Sequence, residues 1–327
     1  MIALPGLAGV LGLSVALSCA SGPAAQKTAD PTDASSGKLP SLVSTEQLSQ
    51  WQRERRISLI DVRSEASTYL KGHLPGAVYL NVETLRASEG GVPVQLLSAR
   101  AYRELFARLG LHQNIPTVIY SAGETGNIDA TFVAWLLAGF GLPSVYVLNG
   151  GYFKWELEHR PIAQKYPDIA ETSFPDVPFH PERASLEEVR RAVATGNAVL
   201  VDARPREQFV GEAGAQMRRG HIPGAISHYW QNDLTQVGFG HVWKAPAELR
   251  TGYEAQGITP DKNIIAYCNS TTEASHVHFT LRYLLGYPRV RIYVGSWTEW
   301  AERDDLPVEA GERGSSEAIR KDEGAGS

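Results

Sequence analysis

The chain has 327 residues, of which 43% are apolar and 20% charged, and its formal net charge is −5 at neutral pH. This balance is typical of a globular protein and excludes a largely disordered chain, while the lack of a basic excess argues against nucleic acid as a partner. At about 150 residues per domain, the length predicts two domains.

The chain opens with an apolar segment, residues 2–17, which a polar stretch without periodicity follows. This order is typical of a secretory signal with a flexible tether, and the apolar run is short for a transmembrane helix. The residues that end in Cys19 resemble a bacterial lipoprotein processing site, in which that cysteine is lipidated. We interpret residues 1–38 as a leader and tether and expect export, with the protein periplasmic or lipid-anchored at a bacterial membrane through Cys19. An ordinary cleaved signal and a non-functional apolar tail are the alternatives.

A first domain is predicted over residues 39–165, where short apolar strands alternate with longer amphipathic helices. Strands are predicted at 57–62, 117–120 and 145–148, and a helix at 129–137. Such alternation is typical of βα units that build a mostly parallel sheet flanked by helices, and it predicts an α/β fold.

A proline-rich stretch, residues 166–183, is predicted to be a linker, and a second α/β domain follows over 184–308. The periodicity of the second domain predicts strands at 198–202, 264–267 and 290–294. Residues 309–327 are rich in Gly, Ser and charge, and are predicted to form a disordered tail.

The two domains repeat the same motifs. An Asp-x-Arg strand end occurs at Asp61 and again 141 residues later at Asp202. A Gly-His-x-Pro-Gly-Ala segment begins at Gly72 and again 148 residues later at Gly220. Near-constant offsets indicate a duplicated domain. Only the second copy has a cysteine at the end of its central strand, Cys268, where the first copy has Ser121.

Cys268 ends a buried strand, and a small polar loop over 269–275 leads from it into a helix predicted from His276. A strand that feeds a helix through such a loop points several backbone N–H groups at one spot, which favours an anion. The same field is expected to lower the pKa of the thiol and to make Cys268 a nucleophile. The alternative is a buried structural thiol.

Together these motifs, with Tyr267-Cys268 and the closing segment 295–300, resemble the tandem-domain rhodanese family of sulfurtransferases. The resemblance covers residues 39–308 and implies two rhodanese-like domains, of which the first is non-catalytic. It implies that Cys268 takes a sulfane sulfur from a small anionic donor of the thiosulfate or 3-mercaptopyruvate type. The resulting persulfide would pass that sulfur to cyanide or to a thiol, with no cofactor and no metal.

By the same resemblance Cys268 is the catalytic residue, and the loop and one arginine bind the donor. The candidate donor-binding residues are Arg204, Asn269, Ser270, Thr271, Thr272, Glu273 and Ala274. Arg204 also matches the scaffold arginine of the Asp-x-Arg motif, which leaves both roles open.

Four residues depart from the family pattern. Gln208 stands where a donor-binding arginine is expected, and Ser270 where thiosulfate enzymes tend to have a basic residue. Thr271 replaces a glycine, and Glu273 replaces Thr or Ser. A β-branched residue restricts the backbone, and an inward carboxylate would repel an anionic donor. These departures favour a mercaptopyruvate-like or unknown donor over thiosulfate.

Two alternative functions follow from the same motifs. A degenerate rhodanese module could carry or sense persulfide, or dock a partner, without turnover. Phosphatase chemistry on the related fold needs an arginine six positions after the cysteine, and Ala274 stands there. That reading is therefore nearly excluded.

Overall fold

The structure is a computed structural model that describes residues 39–124 and 126–312. The predicted leader with Cys19, and residues 313–327 of the predicted tail, lie outside the described residues. Within the described ranges, no helix is long and apolar enough to cross a membrane.

The first half of the described chain contains seven strands and five helices. They are β1 (Ser41–Val43), α1 (Thr45–Glu54), β2 (Ser58–Asp61), α2 (Ala66–Lys71), β3 (Ala77–Tyr79), β4 (Arg86–Glu89), β5 (Val92–Leu96), α3 (Ala99–Arg108), β6 (Thr117–Tyr120), α4 (Ile128–Gly139), β7 (Val145–Leu148) and α5 (Gly151–Leu157). A 3₁₀ turn, Val82–Leu85, precedes β4. Five of the strands form a parallel sheet in the order β1-β7-β6-β2-β3, and β4 pairs with β5 as an antiparallel hairpin.

The second half repeats this plan. Its elements are β8 (Arg183–Ala184), α6 (Leu186–Thr195), β9 (Val199–Asp202), α7 (Arg206–Phe209), β10 (Ile226–Ser227), β11 (Leu234–Val237), β12 (Gly240–Trp243), α8 (Pro246–Ala255), β13 (Ile264–Tyr267), α9 (Thr272–His278), β14 (Val290–Tyr293) and α10 (Ser296–Ala301). A 3₁₀ turn, Trp230–Asp233, precedes β11, and a π-helix, Phe279–Leu284, continues α9. The parallel sheet has the order β10-β9-β13-β14-β8, and β11 pairs with β12 as a hairpin. The prediction of two α/β domains with mostly parallel sheets is confirmed.

Capping serines mark the starts of helices α1 and α6. Ser44 accepts a hydrogen bond from the Gln47 N–H at the start of α1. Ser185 and Glu188 form a complete capping box at the start of α6. These side chains satisfy N–H groups that the first helical turn leaves without partners, which fixes where each helix begins.

Register in the sheets brings the motif residues to one edge. Asp202 at the end of β9 lies beside Tyr267 at the end of β13, and Cys268 follows directly. The same pairing joins Asp61 to Tyr120 in the first sheet, and Ser121 follows there. Because the strands are parallel, their carboxyl ends meet at this edge, where α/β proteins bind ligands.

The two sheets share a core. One cluster of buried apolar side chains runs from β2 through α4 and continues into β9, β13, α9 and β14. At the contact of α4 with α9, the hydroxyl oxygens of Thr131 and Ser275 lie 2.9 Å apart and are buried. The two domains are therefore joined by a continuous interior.

Residues just after the predicted second domain are paired with it. The backbone of Glu309 forms an isolated antiparallel bridge with that of His221, and the Gly311 N–H donates to the Val210 carbonyl at 2.9 Å. The start of the segment predicted to be a disordered tail, up to Gly311, therefore packs against the fold.

Candidate active site

The Cys268 thiol lies at the head of a tight turn between β13 and α9. Its side chain is buried, with 1% exposure, and the N–H groups of Ser270, Glu273 and Ala274 hydrogen-bond toward it. The predicted convergence of loop amides on one spot is confirmed. The helix begins at Thr272 rather than at His276, so Thr272, Glu273 and Ala274 form its first turn.

The predicted lowering of the thiol pKa is wrong for this arrangement. Burial, followed by the negative charge of Glu273, raises the pKa of Cys268 to about 12, although the three amides act in the opposite direction. The desolvation penalty of the thiolate exceeds the stabilisation by these amide dipoles, so the resting group is a thiol.

The Glu273 side chain interacts with the Cys268 thiol, an orientation that the sequence leaves open. Burial, and then the charge of Asp202, raises the pKa of Glu273 to about 7, while Arg204, the Cys268 side chain and the Asn269 N–H act to lower it. A carboxyl group with this pKa exchanges a proton near neutral pH. Cys268 and Glu273 are therefore a coupled pair that can pass a proton between them.

Thr271 has a backbone conformation that favours glycine. Its φ is 84° and its ψ is −37°, and its hydroxyl donates to the Val294 carbonyl at 3.0 Å. A β-branched residue at positive φ is strained, which the hydrogen bond to the end of β14 helps to offset. The structure thus shows why the family pattern has glycine at this place.

Arg204 is enclosed by its own motif. Its Nε and Nη2 donate to the Asp202 carboxylate, Nη2 also donates to the Gly220 carbonyl, and the side chain is 1% exposed. Arg63 makes the same bonds to Asp61 and the Gly72 carbonyl in the first domain. The scaffold role is confirmed, and direct binding of a donor by Arg204 stays a prediction.

The remaining loop residues are held by neighbours in the second domain. The Asn269 side-chain amide donates to Gln208 Oε1 at 2.9 Å, and the Asn269 carbonyl accepts from the Thr298 hydroxyl at 2.8 Å. The Cys268 carbonyl accepts from the Trp297 N–H at 2.9 Å. Gln208 therefore lies beside the loop, where the family pattern leads one to expect a cation.

The sequence motifs do not point to two residues that the structure places at this site. Ser296, with φ of 52°, accepts the Cys268 N–H at 3.3 Å through its hydroxyl. Ser296 occupies the place in the repeat that Gly151 holds in the first domain. A serine in place of a glycine at this position is the sequence signal that could have pointed to it. Arg86 of the first domain donates from Nη1 to both the carbonyl and the hydroxyl of Ser270, each at 3.2 Å.

The matching loop of the first domain has another arrangement. The Ser121 hydroxyl accepts the Ala130 N–H at 2.9 Å. The histidines of the two Gly-His-x-Pro-Gly-Ala motifs bond local carbonyls, His73 that of Tyr69 and His221 that of Phe209. The Cys268 loop thus remains the candidate for chemistry.

Comparison with known proteins agrees with this geometry. The model of the rhodanese-like domain matches residues 44–158 and again 185–303. The chain is 33% identical over 285 residues to the sulfur carrier protein TtuD of Thermus thermophilus, covering 83% of this chain and 97% of that protein. It is 32% identical over 267 residues to a thiosulfate sulfurtransferase of Corynebacterium glutamicum, covering 78% and 86%.

A solved structure agrees as well. The 3-mercaptopyruvate sulfotransferase SseA of Escherichia coli superposes with a TM-score of 0.69, at 29% identity over 78% of this chain and 98% of that one. Since the domain model matches twice and covers most of the described residues, the chain belongs to the rhodanese-like family, with two rhodanese-like domains in tandem.

Proposed function

We propose that the chain, a sulfurtransferase of the thiosulfate or 3-mercaptopyruvate type, moves a sulfane sulfur from a small anionic donor to cyanide or a thiol through a persulfide on Cys268. One observation carries the proposal: three backbone N–H groups converge on a buried thiol at the end of β13. The similarity to sulfurtransferases over most of the chain supports it.

Loading begins with a proton transfer. The thiol proton of Cys268 passes to the Glu273 carboxylate, and the sulfur electron pair then attacks the outer sulfur of the donor. A new S–S bond forms as the donor's own bond to that sulfur breaks. Thiosulfate releases sulfite with the bonding pair, and 3-mercaptopyruvate releases the pyruvate enolate, which takes up a proton.

In the second half of the reaction the sulfur leaves Cys268 for the acceptor. The acceptor attacks the terminal sulfur of the persulfide, so thiocyanate forms from cyanide, or a new persulfide forms from a thiol. The bonding pair returns to Cys268, which takes back a proton. The anionic persulfide between these steps gains from the same three amides, since preorganised N–H groups favour negative charge.

The neutral residues beside the thiol bear on the choice of donor. Gln208 and Ser270 carry no charge, and Glu273 is negative whenever it is ionised. Two negative charges on thiosulfate are harder to accommodate here than the single carboxylate of 3-mercaptopyruvate. We therefore favour a mercaptopyruvate-like donor.

A second candidate function is persulfide carriage without rapid turnover. The high pKa of the buried thiol favours it, because slow loading suits a carrier better than an enzyme with a fast cycle. Similarity to the sulfur carrier protein TtuD points the same way. Steady release of thiocyanate or of a low-molecular-weight persulfide over many cycles would decide for the enzyme, and a single loading event for the carrier.

The test is the mass of the intact protein after incubation with thiosulfate, 3-mercaptopyruvate or polysulfide. We expect the wild type to gain one sulfur atom that a thiol reductant removes, and Cys268→Ser to gain none. Ser121→Ala is the matched control, because it alters the corresponding loop of the first domain and should still load. No gain with any donor would contradict the proposal.

A further inference from the structure

Arg86 belongs to the first domain by sequence but contacts the loop of the second. It begins β4, and its Nη1 donates to the carbonyl and the hydroxyl of Ser270, two residues after the candidate nucleophile. The residues joined by these bonds are 184 positions apart. A cation from one domain thus reaches the thiol loop of the other.

The Arg86 guanidinium is buried, and one of its N–H donors makes no hydrogen bond to the described residues. The Arg86 side chain is 5% exposed, and its charged carbon lies 5.0 Å from the centre of the Phe132 ring. Its Nε is buried and has no hydrogen-bond partner in the described part of the chain. Burying an unpaired donor of a charged group is costly, so a ligand that accepts a hydrogen bond from this Nε–H would be stabilised by it.

The carboxylates near Arg86 leave it only partly neutralised. Glu83 approaches Nη2 at 3.3 Å, but its side chain is 68% exposed, so that ion pair is weak. Asp129 also feels the positive charge of Arg86, and burial raises the pKa of Asp129 to about 6, so near neutral pH its carboxylate offsets part of that charge. Both groups face the guanidinium from the first domain.

Among the described residues of the second domain, Arg204 lies near enough for its charge to act on Cys268, but two of its nitrogens are already hydrogen-bonded. Arg204 has its Nε and Nη2 committed to Asp202 and Gly220. Gln208 and Ser270, the other two places where a donor-binding cation would be expected, are neutral.

The internal repeat provides a built-in comparison. The offset of 148 residues maps Arg86 onto Leu234, which likewise follows a 3₁₀ turn and begins a hairpin strand. Leu234 and Trp230 lie against Gly126 in the first-domain loop, where an added Cβ would be 2.4 Å from the Trp230 ring and 3.0 Å from Leu234 Cδ1. Apolar side chains therefore cover the loop that lacks a thiol, and an arginine reaches the loop that has one.

We propose that Arg86 binds the anionic end of the sulfur donor at the Cys268 loop, so that the first domain supplies part of the donor site. This inference rests on the proposed sulfurtransferase function and deepens it. The donor's carboxylate or sulfonate group would take up the free Nε–H and share Nη1 with Ser270, while its sulfane sulfur meets the thiol. Arg86 is then a binding residue, and bond making stays with Cys268.

The test compares charged and uncharged donors. Modification of Cys268 is followed by intact mass against donor concentration in the wild type, Arg86→Gln and Arg86→Lys. With thiosulfate and 3-mercaptopyruvate the product is the persulfide; with an uncharged dialkyl trisulfide it is the mixed disulfide, formed as the thiolate attacks a terminal sulfur and an alkyl persulfide anion leaves. We expect Arg86→Gln to need at least about tenfold more of either anionic donor for half-maximal loading, since a charge-assisted hydrogen bond is lost. The trisulfide concentration for half-maximal mixed-disulfide formation should stay within about twofold of the wild-type value, and Arg86→Lys should retain part of the preference for anionic donors.

Arg103→Gln is the matched control, because Arg103 bonds the Val177 carbonyl at 3.2 Å and takes no part in the loop contacts described here. An equal loss with all three donors would show that Arg86 only holds the domains together, and unchanged loading by the anions would show that it binds none of them. Either result overturns the inference while leaving Cys268 loading intact in the wild type. Absence of loading in the wild type would instead overturn the proposed function, and this inference with it.

Discussion

Burial and the Glu273 carboxylate raise the pKa of the Cys268 thiol by more than three backbone N–H groups lower it. The thiol pKa is raised by loss of water and then by Glu273, and the pKa of Glu273 is itself raised to about 7. Below pH 7 the carboxyl group is mostly neutral and repels nothing, and above pH 7 its charge opposes formation of the thiolate. The pair therefore makes the reactivity of the thiol depend on pH through a second residue.

Glu273→Gln should make Cys268 easier to ionise, because the amide removes the second cause of the raised pKa. Alkylation by iodoacetamide should be several times faster in this variant than in the wild type at pH 8, with the difference shrinking as pH falls below about 7. Rates measured between pH 6 and 9 check this. The control is Glu207→Gln, which removes an exposed carboxylate from α7. Identical pH profiles for wild type and Glu273→Gln would contradict the coupling.

Thr271 gives a second prediction at the residue scale. Thr271→Ala keeps a side chain at φ of 84° and loses the hydroxyl bond to Val294, whereas Thr271→Gly loses the same bond but relieves the strain. We expect the glycine variant to be more stable than the alanine variant by about 1 kcal/mol. Urea unfolding of both variants measures the difference. An alanine variant of equal or greater stability would show that the backbone at Thr271 is unstrained.

At the scale of elements, the strands were predictable and the hairpins were overlooked. Strand β13 lies at the predicted residues because a short, fully buried run of apolar residues is typical of a central strand in a parallel sheet. The β4–β5 hairpin turns at Gly90-Gly91, a pair whose signal for a two-residue turn was present in the sequence. The start of α9 was misjudged because Thr271, a poor candidate for positive φ, ends the loop early.

No local pattern could show which surface each hairpin covers. The β11–β12 hairpin bonds the first-domain loop, where the His241 N–H donates to the Gly123 carbonyl at 2.9 Å. The residue that begins β4 bonds the second-domain loop in the corresponding way. Each domain thus contacts the loop of the other, and these contacts depend on the packing of α4 against α9. The thiol and its loop could therefore be predicted from the sequence, but the contribution of Arg86 could not.

For the whole molecule, the shared core matters more than the division into two domains. The largest cluster of buried apolar side chains contains Ile60 and Ile119 of the first sheet together with Val201 and Ile264 of the second. Separating the domains would expose much of this surface to water, at about 25 cal/mol per Å² of apolar area.

The described domains should therefore unfold together. In urea, tryptophan fluorescence and far-ultraviolet circular dichroism should give one coincident transition, because neither half keeps its core alone. Separately produced chains of residues 39–183 and 184–312 provide the comparison and should be much less stable than the intact protein. Two resolved transitions, with one half folded on its own, would contradict a common core.

The central claim is that Cys268 carries a transferable sulfur, and intact mass after exposure to a sulfane donor tests it most directly. The account predicts a gain of one sulfur atom in the wild type and in Ser121→Ala, lost again on addition of cyanide, and no gain in Cys268→Ser. A wild type that gains no sulfur from thiosulfate, 3-mercaptopyruvate or polysulfide, or a Cys268→Ser variant that still gains one, would contradict it.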